Sequence, residues 1–203
     1  MSLFNRSRKD LNARGIDPAR LPPGQCHTER WPVLHAGIVP KVDLAAWDFT
    51  IDGLVAEPWG WTYEELRGLG VETRTTDVHC VTKWSLFDAE FQGVPVVTVL
   101  DRVELVPGAT HVLVRAEHGF TANLPLDDFS RPENLFAWGF RGEALSPDHG
   151  WPLRLVVPHL YFWKSVKWVR GFTVLDHDIP GFWERNGYHL HGDPWREQRY
   201  WGD

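Results

Sequence analysis

Cysteine is scarce in this chain, with 2 in 203 residues, at positions 26 and 80. Two thiols cannot build a disulfide scaffold, nor can they supply a four-thiolate zinc site. Basic residues are also short, 21 Lys and Arg against 27 Asp and Glu, giving a formal charge of −6. That balance leaves no basic footprint for a nucleic-acid partner. No apolar run reaches the length of a membrane span. The richest stretch, Trp151 to Trp168, is broken by Arg154, His159, Lys164 and Lys167. The polar stretch Met1 to Asp10 has no apolar h-region behind it. Neither a secretory nor a twin-arginine signal is visible, so the expected compartment is the cytoplasm, with both cysteines as thiols. Phosphate loops of the P-loop or GxGxxG type are missing, and with them the common nucleotide folds.

Aromatic residues, by contrast, are abundant: 12 of the 203 residues are tryptophan. Each carries a large rigid surface that needs a core or cleft to pack against. The chain is long enough for one such core, with residues 1–24 as a peripheral amino-terminal arm and 25–203 as a single domain. Alternation of Trp47, Phe49 and Ile51 with polar residues predicts a strand over 47–55. Thr62-x-x-Glu65 is a capping box opening a short helix through Leu69. An extended segment over 72–81 leads to Cys80, and Pro95 opens a helix through about Leu105. Residues 112–116, 153–157 and 165–175 read as strands, and 136–145 as a hairpin turning at Arg141-Gly142. The aromatic tail from Gly181 is expected to dock on the body. Strands outnumber short helices without βαβ repetition, which predicts a β-rich α+β domain.

Two segments carry candidate chemistry. In Asp77-Val-His-Cys-Val-Thr-Lys-Trp-Ser85, Cys80 reads either as a buried structural thiol or as a reactive or metal-binding thiolate. On an extended chain His79 and Cys80 point to opposite faces, which argues against a nucleophile pair made from these neighbours. Zinc through Cys26-His27, His79-Cys80 or His189-x-His191 lacks any finger-type spacing. The second segment joins Asp148-His-Gly-Trp-Pro-Leu-Arg154 to Lys164-Ser-Val-Lys-Trp168. Cations in an apolar stretch pair with core carboxylates, snorkel to solvent, or hold a bound dianion such as a phosphate.

These segments, taken in order, resemble the molybdenum-binding domain of the sulfite oxidase superfamily, in its compact domain-only form. The likeness runs from about residue 20 to the carboxyl end. It includes Trp31-Pro-Val-Leu-His-Ala-Gly37, the Cys80-x-x-x-Trp-Ser85 segment, Gly119-Phe-Thr-Ala-Asn-Leu-Pro-Leu126, His149-Gly-x-Pro-Leu-Arg154, Ser165-Val-Lys-Trp168 and the tail from Gly181 to Trp195. The resemblance implies the sulfite oxidase-type fold and molybdenum-molybdopterin as cofactor. It implies Cys80 as metal ligand and catalytic residue, beside the cofactor's own dithiolene sulfurs. His35, His149, Arg154, Ser165, Val166 and Lys167 match cofactor-binding positions, with Arg154 and Lys167 as phosphate anchors. His79 and Trp84 flank the ligand.

The implied reaction is two-electron oxygen-atom transfer on a small molecule, with an unidentified soluble electron donor or acceptor. Relatives oxidise sulfite or reduce S-oxides. The segment matching the sulfite oxidases' substrate arginine reads Val33-Leu34-His35 here, without an arginine, which favours an S-oxide over sulfite. The alternative is a non-catalytic cofactor carrier of the same fold.

Overall fold

A computed structural model describes residues 3–203, and two mixed β-sheets form its frame. The strands in chain order are β1 (Cys26–Thr28), β2 (Asp48–Gly53), β3 (Trp59–Thr62), β4 (Glu72–His79), β5 (Trp84–Pro95), β6 (His111–Ala116), β7 (Thr121–Pro125), β8 (Leu135–Phe140), β9 (Glu143–Ala144), β10 (Arg154–Val156) and β11 (Val169–Leu175). One sheet runs β1-β5-β8-β10, with β4 also on β5 and β9 on β8. The other runs β3-β2-β11-β6-β7. Pairing is antiparallel except between β1 and β5 and between β2 and β11. Five short helices fill in: α1 (Leu3–Ala13), α2 (Tyr63–Gly68), α3 (Val96–Leu100), α4 (Leu126–Phe129) and α5 (Phe182–Arg185). The α+β reading holds.

Local sequence explains most of these elements. In β2, Phe49 and Ile51 are fully buried between half-exposed polar neighbours, as period-two alternation requires. Thr62 caps α2 through a complete capping box with Glu65. β8 turns into β9 at Arg141 and Gly142, both at positive φ, the geometry of a tight hairpin. The main core joins Phe49, Phe136, Phe172 and Leu155 with the valines of α3 and β6. Ion pairs from Arg20 to Asp77 and Asp88 hold the amino-terminal region on the β4–β5 hairpin, where Leu11 and Leu21 pack with Phe87.

Two expectations are corrected. The helix after Pro95 stops at Leu100, because the main chain of 104–106 is drawn into hydrogen bonds with the Leu54–Ala56 segment. The strand expected from Ser165 begins only at Val169. Residues 165–168 form a loop whose Ser165 and Val166 carbonyls accept from Arg154 and from the Leu155 N–H. The tail docks as expected, through Trp183, Tyr188 and the buried Glu184 and Arg199, while Trp195, Tyr200 and Trp201 stay about half exposed or more. Among the described residues no helix is long and apolar enough to cross a membrane.

Candidate active site

β4 and β5 form a hairpin, and Cys80 is the first residue of its turn. The Cys80 N–H donates to Trp84 O, and the Lys83 N–H donates back to Cys80 O, each at 2.9 Å. Lys83 closes the turn in the left-handed region, at φ 72°. Two side chains from distant parts of the sequence grip this turn from outside. Gln25 Nε2 donates to Cys80 O at 3.0 Å, and Arg199 Nη1 donates to Val81 O at 3.1 Å. Arg199 also reaches Pro23 O, so both flanks of the chain meet behind the thiol. The turn thereby fixes where Sγ points.

Sγ opens into a cavity of about 530 Å³. Burial pushes the Cys80 thiol above its ordinary pKa, while the Thr82 hydroxyl, donating to Sγ at 3.1 Å, works in the opposite direction. His79 faces away, as strand alternation requires. It is buried and bonded through Nδ1 to Ser85 Oγ at 2.8 Å, and burial lowers its pKa to about 4. It does not line the cavity, whereas Trp84 does.

Two of the three cations of the second segment, Arg154 and Lys167, line the same cavity. Arg154, on β10, is 2% exposed, and burial pushes its pKa down to about 9. Its Nη1 and Nη2 donate to His149 O at 2.7 Å and Ser165 O at 2.9 Å, while buried Nε has no partner. The guanidinium also lies over the rings of Phe162 and Trp31, 4.4 and 5.0 Å from their centroids. Lys167 Nζ donates to Leu34 O and Asp148 O, both at 2.8 Å. Burial and then the Arg154 charge lower its pKa to about 7, against Asp148. Among the described residues neither cation has a carboxylate within 4.0 Å. Gly150 makes their close approach possible. At φ 113° it terminates a short turn of helix, and a Cβ there would lie 3.1 Å from Arg154 Cβ and 3.2 Å from Lys167 Cβ. Two partly desolvated positive charges that meet carbonyls and aromatic faces but no carboxylate are costly, and a dianionic group bound by both would offset that cost.

The cavity brings together the residues that the resemblance assigned to metal and cofactor: His35, Cys80, His149, Arg154, Ser165, Val166 and Lys167. Their environments differ. His149 is bonded to Ser146 Oγ and packed on Trp31, and burial followed by the Arg154 charge keeps its pKa below the ordinary value. His35 is held at Gly37 O. Ser165 Oγ already accepts the Val157 N–H at 2.9 Å, so its hydroxyl also has a folding role. Val166 is 1% exposed and belongs to the main core. Lys164, the third cation of the segment, does not line the cavity at all. Sequence reasoning passed over Thr82, Phe162, Trp163 and Tyr188 as site residues. Of these only Thr82 had a local signal, a hydroxyl two residues beyond the thiol. The site geometry thus fits a group with a soft-metal end and an anionic end.

Comparison with known proteins bears on the same region. A family model described as an oxidoreductase molybdopterin binding domain matches residues 35–183. The chain is 45% identical over 185 residues to the oxidoreductase YuiH of Bacillus subtilis, covering 91% of this chain and 93% of that protein. It is 34% identical over 157 residues to the protein-methionine-sulfoxide reductase catalytic subunit MsrP of Gluconobacter oxydans, covering 68% and 50%. With the sulfite oxidase of Arabidopsis thaliana it shares 27% identity over 190 residues, covering 76% and 48%. The chain therefore spans about half the length of the last two relatives. Among solved structures, the sulfane dehydrogenase SoxCD of Paracoccus pantotrophus has the same fold, with a TM-score of 0.64 at 23% identity over 73% of this chain and 42% of that one.

Proposed function

The chain belongs to the family of oxidoreductases with a molybdopterin-binding domain, and on that footing we propose that Cys80 ligates the molybdenum in a two-electron oxygen-atom transfer on a small S-oxide. The observation that carries this reading is the cavity that the soft thiol of Cys80 shares with Arg154 and Lys167, two cations without a carboxylate partner among the described residues. A thiolate suits a metal already held by sulfur. When bound, molybdenum-molybdopterin supplies the two-electron redox chemistry that no side chain here provides.

The chain's own residues do the rest. Arg154 and Lys167 bind the cofactor's phosphate. His35 and His149 border the pterin, and the 165–167 loop contributes Ser165 and the main chain of Val166. The Cys80 proton leaves on ligation, and Thr82 stabilises the resulting thiolate. Phe162, Trp163 and Trp183 exclude water from the thiol end. Arg154 and Lys167 are the only Lys or Arg among the described residues lining the cavity, and both serve the phosphate. A sulfite dianion is left without a cation, whereas an uncharged sulfoxide needs none. Electrons come from a separate soluble carrier, which a reduced dye replaces in the assay.

The test is elemental analysis and turnover of protein made in a molybdopterin-competent host. We expect stoichiometric molybdenum, dye-linked reduction of sulfoxides, and loss of the wild-type molybdenum absorption in Cys80→Ser. An unchanged spectrum in that variant would overturn the ligand assignment. Transfer of intact cofactor to an apo-enzyme without redox turnover would instead identify a carrier.

A further inference from the structure

Lys164 sits three positions before Lys167 but turns away from the cavity. Its side chain is 0% exposed, and so is that of Glu184 on α5, whose Oε1 lies 2.6 Å from Nζ. The same ammonium donates to Asn123 O at 2.8 Å, Asn123 Oδ1 at 2.7 Å and Leu190 O at 2.6 Å. Asn123 belongs to β7, in the β3-β2-β11-β6-β7 sheet. Glu184 and Leu190 lie on either side of the loop that follows α5. One buried charge therefore ties both ends of that loop to one sheet strand.

The loop holds the wall of the cavity. Glu184 Oε1 also accepts the Trp163 Nε1–H at 2.8 Å. The Trp163 ring meets Tyr188 edge-on at 5.1 Å, and Trp183 stacks on Tyr188 at 4.9 Å and 20°. Trp163, Trp183 and Tyr188 all line the cavity beside Cys80. Gly192 lies so close to Trp163 that a Cβ would meet the indole at 2.7 Å. A buried ion pair is a poor source of net stability, because desolvation consumes most of its attraction, yet it fixes geometry where apolar packing would slide. Burial lowers the Lys164 pKa, and Glu184 opposes that shift.

We infer that Lys164 is a positioning residue: through Glu184 and Leu190 it sets the Trp183–Tyr188 wall against Cys80, and with it the access of substrate to the thiol end. This rests on the reading of the cavity as the reaction site, so the test has one arm that needs no turnover. The variants are Lys164→Met and the double variant Lys164→Met with Glu184→Met, which leaves no lone buried charge. Hydrogen exchange on cofactor-loaded protein is expected to rise about tenfold at residues 185–189. These amides donate to Gly181, Trp183, Glu184 and Arg199 carbonyls. Exchange over 148–157 and the molybdenum content should remain at wild-type values. In the turnover arm, KM for a sulfoxide should rise about tenfold with little change in kcat. If Lys164→Met fails to fold, the double variant is read alone. Wild-type exchange at 185–189 in a folded variant overturns the inference, as does loosening spread evenly over the chain. Local loosening without sulfoxide turnover in wild-type protein upholds the positioning role and defeats only the assigned reaction.

Discussion

Thr82 Oγ1 donates to Cys80 Sγ at 3.1 Å from within the same hairpin turn. A hydroxyl donor stabilises the thiolate more than the thiol and so opposes the burial that raises the Cys80 pKa. In cofactor-free protein, Thr82→Val should shift the pH profile of Cys80 alkylation by iodoacetamide upward, by about one unit for about 1.4 kcal/mol of lost stabilisation. Thr82→Ser should restore it. Identical profiles in all three proteins would show that the hydroxyl does not act on the thiol.

Arg154 is the buried cation of the pair proposed to hold the phosphate, and on that reading its loss should be felt in the cofactor before it is felt in the fold. Charge-assisted hydrogen bonds contribute about 1.5–3 kcal/mol each, so Arg154→Met should release cofactor about 10- to 100-fold more readily. The cofactor-free protein loses a costly charge and two bonds to carbonyls together, so its unfolding midpoint should move little. Full molybdenum occupancy of this variant after gel filtration would remove Arg154 from the phosphate site.

Lys167 gives the site a pH dependence. Its folded pKa is depressed to about 7, so the unfolded chain holds more protons than the folded one from there up to the ordinary lysine value of 10.5. Stability of the cofactor-free protein should therefore rise with pH across that window, and Lys167→Met should flatten the rise. Binding of a dianion demands the protonated amine, so cofactor loading of apo-protein should weaken between pH 6 and pH 8.5. Loading that is independent of pH, or unaltered by Lys167→Met, would contradict this.

Much of this site was legible because its chemistry travels in short local strings. His149, Gly150 and Arg154 lie within one turn and the strand after it, and the spacing of Cys80 from Trp84 and Ser85 is the length of a hairpin turn. What stayed hidden is tertiary. Nothing local distinguishes Lys164 from Lys167, since each is a lysine in an apolar run and only the fold decides which meets Glu184. The long strand β5 was missed as well. Phe87, Ala89 and Phe91 alternate there with Asp88, Glu90 and Gln92, so the local signal was present, and pairing with β1, β4 and β8 makes it a central strand.

A second polar cluster lies apart from the cavity. Asp128 accepts from His159 at 3.1 Å and His191 at 2.8 Å, and pairs with Arg131 at 2.8 Å. Burial works to raise the Asp128 pKa, but the bonds from the two histidines win and hold it well below the ordinary carboxylate range. The bond to Asp128 raises the His191 pKa, against burial. The carboxylate's contribution is present above its unfolded pKa of 3.8 and is lost as pH falls through the folded value. The His191 contribution is full below 6.5 and is lost as pH rises through its raised pKa. Asp128→Asn should therefore cost most between about pH 4 and pH 6.5, about 2 kcal/mol or a drop of about 4–8 °C in Tm, and less at pH 9. Equal losses at pH 5.5 and pH 9 would exclude the histidine linkage.

The grip of Gln25 and Arg199 on the Cys80 turn makes the aim of the sulfur a long-range property of the chain. Gln25 lies 55 positions before Cys80, and Arg199 lies 118 positions after Val81. Remodelling either terminal segment therefore reaches the thiol without touching a residue that lines the cavity.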